Sequence, residues 1–359
     1  MKKRLVICNT YYQLIVAMQL NDTLWNNDRV DIIISDQSKD SYNVYKALLD
    51  LNVFNKIYWK KNSDICSVHT NYYKTIKKML YIIFGLQDSF ITETCYDELI
   101  YYNADIYTYG IYDRLKKNNV NLICSRYEEG ILSYEDTEFL TKSRLNLCNK
   151  VRKLMYKSTL DEDTKYFYCF YPKFYKGNLV PITVPRISNY RIIGEKLKKI
   201  FNINNDKVVI NEKYIFFTSV YDFEGGEPIG ETELVKNIAE IVGKENLMVK
   251  THPRDARDAF KQSGISVYEY SNIPWEAIQL NNDFSSKVLL TVNSGSVIGA
   301  NMMIENKATA IFLYKCCNYK VNPAATNTSH MIDRFIAELK DVDVKSMESL
   351  EEFKTIIGS

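Results

Sequence analysis

Short apolar runs alternate with amphipathic stretches along almost the whole chain. Residues 4–8 (RLVIC) read as a buried strand ending at the turn residues Asn9 and Thr10, and 11–20 follow as a helix with apolar positions at 14, 15 and 18. Residues 30–35 (VDIIIS) give a second strand, 42–49 a helix and 53–59 a third strand. A lysine-studded helix over 71–86, a strand over 98–101, a helix over 106–117 and a strand over 121–125 (NLICS) continue the alternation. That last strand runs into Arg126-Tyr127-Glu128-Glu129-Gly130. Strands and helices in strict alternation specify a parallel, doubly wound sheet.

From 145 to 185 the pattern loosens into a basic helix, an aromatic loop and three prolines (Pro172, Pro181 and Pro185), as expected of a crossing between domains. Alternation then resumes. Strands are expected over 214–219, 247–250, 265–268, 287–292 and 309–313, with helices over 232–242, 256–262, 274–280 and 297–304. The expectation is an α/β chain of two Rossmann-like domains, 1–180 and 190–359, facing a cleft onto which the carboxyl ends of both sheets open.

Composition narrows the class. A chain of 359 residues, 46% hydrophobic and 25% charged, has material for two cores and lacks the bias of a disordered segment. Lys plus Arg number 46 against 44 Asp plus Glu, a balance too even for a protein that coats nucleic acid. The basic start MKKRLVIC is followed by no small-residue cleavage site, so no signal peptide is read. The longest apolar run, 79–86, falls short of the ~18–20 residues that cross a bilayer. The cysteines are scattered and include no C-x-x-C pair, so they suggest neither a zinc ribbon nor a disulfide framework and fit a reducing cytoplasm.

Candidate chemistry gathers at strand ends. Of three histidines, His252 stands in Lys250-Thr251-His252-Pro253-Arg254, directly after a strand. Pro253 turns the chain there. An imidazole so placed can donate a hydrogen bond to a phosphate oxygen or act as general acid, and the alternative is a satisfied structural histidine. Asn293-Ser294-Gly295-Ser296 joins a strand to a helix, so free backbone N–H groups and two hydroxyls form a phosphate seat or a plain helix cap. Glu276 opens another helix at a strand end, where it can hold a ribose diol or serve only the helix dipole. Glu128 and Glu129, with Gly130 allowing a turn, and the acids of 222–227 complete the set. Asp161/Asp163 and Asp341/Asp343 are D-x-D pairs that follow no buried strand, so chemistry without a metal is expected.

Taken in order, Tyr127-Glu128-Glu129-Gly130, Lys250-Thr251-His252-Pro253-Arg254, Ile273-Pro274-Trp275-Glu276 and Asn293-Ser294-Gly295-Ser296 resemble the D/E-D/E-G, H-P, ribose-binding and serine motifs of bacterial sialyltransferases. Asn9-Thr10-Tyr11-Tyr12-Gln13 resembles the segment after the first strand of glycosyltransferase family 52, the lipooligosaccharide and capsule sialyltransferases. The resemblance implies a GT-B fold and inverting, metal-independent transfer of sialic acid from CMP-sialic acid, with no other cofactor. It implies that His252 meets the CMP phosphate and Glu276 the ribose. Ser294 and Ser296 hold the phosphate, with Lys250, Pro253, Arg254, Asn293 and Gly295 around them. Asp222, Glu227 and Glu231 are rival general bases after the preceding strand. Asn9, Tyr12, Gln13, Glu128, Glu129 and Gly130 line the cleft, and the two glutamates can act as base instead.

The expected acceptor is a terminal sugar, galactose, of a bacterial surface glycan that can be lipid-linked. A UDP-sugar donor on the same fold and a non-catalytic glycan-assembly protein are the alternatives. Residues 71–86 and 149–157 combine basic and apolar faces, as peripheral contact with the inner face of the cell membrane requires, or as a helix packed on its own sheet would. A homodimer is among the expected partners; nucleic acid is not.

Overall fold

Branched and aromatic runs bury both faces of most strands, as parallel sheets covered by helices demand. The computed structural model describes the chain except residues 62–90, 94, 136–141, 189, 205–208, 225, 253, 256–257, 271–272, 306–307, 341 and 359, and the side chains of 142–148 and 190. The chain divides into two units, Met1–Pro185 and Arg186–Ser359.

In the first unit, β1 (Lys3–Cys8) is followed by α1 (Tyr11–Asp22), β2 (Arg29–Ser35), α2 (Ser41–Leu51) and β3 (Lys56–Lys60). Then come β4 (Glu98–Tyr101), α3 (Ile106–Asn118), β5 (Ile123–Tyr127), α4 (Lys142–Tyr156), the short α5 (Leu160–Asp163), β6 (Thr164–Cys169) and β7 (Val180–Thr183). Among the described residues the sheet has seven strands in the order β3-β2-β1-β4-β5-β6-β7, all parallel. The order reverses beside β1. That switch point, between β1 and β4, is where open α/β sheets leave a crevice at the strands' carboxyl ends. Thr10 caps α1 by accepting from Gln13 N at 3.3 Å, which sets Tyr12 and Gln13 in the first turn above β1.

The second unit starts with α6 (Tyr190–Ile200) and β8 (Tyr214–Phe217), then α7 (Glu231–Val242), β9 (Leu247–Lys250), α8 (Ala259–Gln262), β10 (Ser266–Val267) and α9 (Trp275–Gln279). It ends with β11 (Val288–Thr291), α10 (Gly295–Met303), β12 (Thr309–Phe312), α11 (Pro323–Glu338), β13 (Val344–Ser346) and α12 (Leu350–Gly358). Six parallel strands run β10-β9-β8-β11-β12-β13 among the described residues, with the switch point between β8 and β11. Both units are therefore doubly wound, as the alternation predicts.

The stretch 145–185 departs from its reading as a crossing between domains. It completes the first sheet, β6 pairing with β5 and β7 with β6. The prolines do not oppose this. Pro181 sits in the edge strand β7, where a missing N–H costs no ladder bond, and Pro172 opens a turn of 3-10 helix. The helix read over 71–86 lies outside the described residues, as do residues 256–257 of the helix read over 256–262.

Candidate functional site

Three strand ends meet at the switch point of the second unit, laced by two threonines. Thr218, just after β8, donates its backbone N–H to Lys250 O at 3.1 Å, and its hydroxyl accepts from His252 N at 2.8 Å. Thr291, ending β11, gives its hydroxyl to Phe217 O and accepts from Ser294 N, both at 2.9 Å. His252 thus follows β9 and the serine turn follows β11, the two strands that flank β8. Thr291 belongs to the strand-to-helix turn that the sequence singles out, whereas Thr218 escaped the sequence reading; its signal was a hydroxyl residue directly after the last apolar position of a strand.

His252 Nδ1 accepts from Arg254 N at 3.2 Å. Burial, then the charges of Arg254 and Lys250, hold the imidazole below its usual pKa against the opposing Glu224 and Asp255. A neutral ring that accepts at Nδ1 carries its proton on Nε2, so His252 presents an N–H donor at neutral pH. Arg254 itself is exposed and pairs with Glu224 at 2.7 Å. Pro253 lies outside the described residues.

Lys250 and Glu276 form the site's buried charges, 9% and 5% exposed. Burial depresses the ammonium's pKa and raises the carboxyl's, and each charge partly offsets the other's shift. Trp275 fixes Glu276 in place. Its ring packs edge-on against Phe217 at the end of β8, centroids 4.7 Å apart. A chain of buried side-chain hydrogen bonds, Trp275 indole Nε1 to Gln279 Oε1 at 3.0 Å and Gln279 Nε2 to Asn301 Oδ1 at 2.8 Å, then ties α9 to α10. At the mouth of α10, Asn293 is buried and donates to Ala325 O at 3.3 Å. Ser294 is the N-cap, yet its side chain makes no capping bond. The hydroxyls of Ser294 and Ser296 and the N–H groups of Gly295 and Ser296 form this helix mouth, the kind of arrangement that can hold an anion, while Val297 N–H turns back to Ser294 O at 3.4 Å.

The three rival bases are not alike. Asp222 is occupied as a cap, accepting from Ile229 N, Gly230 N, Thr232 N and the Thr232 hydroxyl at 2.9–3.3 Å. Glu231 is fully buried, both oxygens taken by Ser219 N at 2.9 and 3.0 Å. Only Glu227 is exposed.

In the first unit, Glu128 and Glu129 follow β5, next to the switch point. Glu128 is fully buried and accepts from Tyr12 Oη at 2.6 Å, Phe170 N at 2.9 Å and the Tyr134 hydroxyl. Glu129 is part-exposed, accepts from Gln13 Nε2, and donates its own N–H to Ser133 Oγ at 3.1 Å. Burial pushes both carboxyls up to about 7, against the hydrogen bonds that favour ionisation. Gly130 turns the chain at φ +73°, a left-handed conformation that favours glycine. Asn9 is buried with its Oδ1 unpartnered, and its N–H goes to Gln13 Oε1 at 2.7 Å. All six residues expected at this end lie together. Tyr134 was missed, for nothing in a six-residue separation announces a partner for Glu128.

Two doubly wound parallel sheets in succession are the fold of the GT-B glycosyltransferases. Solved structures similar to this chain include UDP-GlcNAc 2-epimerase from Methanocaldococcus jannaschii in complex with UDP-GlcNAc and UDP, with a TM-score of 0.50, 13% identity and coverage of 99% of this chain and 92% of that one. Another is the alpha/beta-galactoside alpha-2,3-sialyltransferase from the luminous marine bacterium Photobacterium phosphoreum, with a TM-score of 0.49, 13% identity and coverage of 96% and 98%. Among curated proteins no match is found. The chain belongs to the alpha-2,8-polysialyltransferase (POLYST) family, whose sequence pattern matches residues 4–312. It is thus a glycosyltransferase of the sialyltransferase kind, as the motifs suggest, while the match does not carry the narrower placing in family 52.

Proposed function

We propose that the protein moves sialic acid from CMP-sialic acid to a hydroxyl of a terminal glycan sugar, with inversion and without a metal. The second unit holds the nucleotide and the first activates the acceptor. The observation that carries this reading is the neutral His252, with its Nε2 proton on offer, beside the buried charges of Lys250 and Glu276 and the open mouth of α10.

As the bond from the anomeric carbon to the phosphate oxygen breaks, its electron pair goes to the departing CMP. A phosphate monoester leaves without needing a proton, so His252 serves as a hydrogen-bond donor to the growing charge, with the serine turn and Lys250. These groups are fixed before reaction and favour the transition state over the ground state. Glu276 accepts from the ribose. The acceptor oxygen forms the new bond on the opposite face and gives its proton to Glu129, the less enclosed of the two raised carboxyls, with Glu128 behind it on Tyr12 and Tyr134. Asp222 keeps its cap on α7 and Glu231 its hydrogen bonds from Ser219 N. Galactose and a sialic acid already on the glycan are the two acceptor ends in view.

Helix α4 exposes Val151, Leu154 and Met155 next to Lys150 and Lys153, which supports contact with an anionic membrane where a lipid-linked acceptor would lie. Flotation with phosphatidylglycerol vesicles tests it, and a protein that stays at the bottom removes it.

The donor is tested by incubating the protein separately with CMP-sialic acid and UDP-glucose and measuring free nucleotide. CMP release is expected. UDP release alone would replace the donor, and neither release nor a nucleotide-dependent thermal shift would leave a non-catalytic assembly protein.

A further inference from the structure

By the register of β8 on β9, the ladder bond after Thr218 N to Lys250 O would run from His252 N to the Thr218 carbonyl. The Thr218 hydroxyl takes that N–H instead, at 2.8 Å. Thr218 is buried, 3% exposed. A hydroxyl has one proton to give, and with an N–H arriving at its oxygen that proton turns away from His252. It meets no acceptor among the described residues. The hydroxyl of Thr291 differs: it accepts from Ser294 N and its proton is spent on Phe217 O, both at 2.9 Å. Of the two threonines that lace the switch point of the second unit, one is fully engaged and the other has a buried donor unspent.

A buried O–H without an acceptor is costly, so its presence calls for a ligand that supplies one. Position narrows the ligand. β8 lies between β9, which leads to His252, and β11, which leads to the serine turn, and Lys250 pairs with Phe217, the residue before Thr218. A donor set among an ammonium, an imidazole N–H and a helix mouth suits an anionic oxygen. We propose that Thr218 donates its hydroxyl proton to a phosphate oxygen of the nucleotide, touching the substrate itself as well as fixing the backbone of His252. This rests on the assignment of the nucleotide to the second unit. The hydroxyl keeps its proton throughout. As the bond from the anomeric carbon breaks and its electron pair passes to the phosphate oxygen, the hydrogen bond strengthens with the growing charge, so Thr218 favours the transition state over the bound donor.

Calorimetric titration of the full chain with CMP and, separately, with cytidine isolates the phosphate. Wild type is expected to bind CMP at least about tenfold more tightly than cytidine. Thr218→Val, similar in shape but without a hydroxyl, should weaken CMP binding about 10- to 100-fold and leave cytidine affinity alone. Thr218→Ser keeps the hydroxyl and should stay within about threefold of wild type for both ligands. The loss should persist when Thr218→Val is combined with His252→Ala, since the contact does not pass through the imidazole. Unchanged CMP affinity in Thr218→Val overturns the proposal, as does an equal loss for CMP and cytidine. A loss that vanishes in the His252→Ala background also overturns it, leaving Thr218 a positioning residue for His252. If Thr218→Val does not fold, Thr218→Ala must show the same phosphate-selective loss. A wild type that prefers CMP while Thr218→Val binds it equally well fails this inference alone, whereas a wild type that binds neither ligand fails the nucleotide reading with it.

Discussion

Tyr12 donates its phenolic proton to Glu128 across 2.6 Å, joining residues 116 positions apart in sequence. The bond ties the first turn of α1 to the end of β5 and keeps one oxygen of Glu128 fixed beside Glu129. With both carboxyls pushed up to about 7, the base is ionised only on the alkaline side of neutrality. Transfer should rise between about pH 6 and 8 and then level off, since His252, with its lowered pKa, is already neutral there. A rate already flat from pH 5 upward would exclude this pair as the base.

The same carboxyls make stability depend on pH. A carboxyl whose pKa rises on folding, here from 4.5 to about 7, holds its proton more tightly in the native state. The stability it contributes is complete below 4.5 and is lost as pH climbs through 7, by an amount on the order of 3 kcal/mol for each such group. Glu128→Gln should flatten that slope in urea titrations across pH 5–8. An unchanged slope would show that Glu128 titrates normally.

His252→Ala should lower CMP release by about 10²–10⁴ at unchanged melting temperature, since its ring accepts only one backbone N–H. Full activity in this variant would remove the imidazole from the reaction.

Asp222 separates a cap from a base. Its carboxylate serves three backbone N–H groups around the start of α7. Asp222→Ala should cost about 1–2 kcal/mol in denaturant unfolding, while Asp222→Asn keeps the catalytic rate near wild type. A loss of 10³ or more in the asparagine variant, fold intact, would restore Asp222 as general base.

Lys250 and Glu276 should be coupled. Removing either partner leaves a buried charge uncompensated, so Lys250→Met and Glu276→Gln each destabilise the second unit and raise the KM for donor. The double variant should be more stable than the sum of the two losses predicts. Strict additivity in melting experiments would mean that the charges act independently.

The sequence foretold the doubly wound fold wherever strands were unbroken apolar runs such as 247–250 and 98–101, because burial on both faces leaves no other pattern. It failed at 164–183. There the apolar positions are tyrosines and phenylalanines interrupted by proline, and only pairing with β5 makes them strands. At the sites, motif order picked out His252 and the serine turn, which lie at strand ends, and Glu276, which lies in the first turn of α9 rather than directly after a strand. It did not distinguish capping acids from free ones. Asp222 and Glu227 look alike as letters, and what separates them is the set of N–H groups that α7 turns toward Asp222.

Pairing of β6 with β5 also dictates when the acidic pair can form during synthesis. Glu128 accepts from Phe170 N and gives its own N–H to Tyr168 O at 2.9 Å, so the pocket that raises its pKa needs chain some forty residues downstream. A chain that ends before residue 168 lacks both of these partners of Glu128, so the raised proton affinity of that carboxyl reports the docking of β6 against β5.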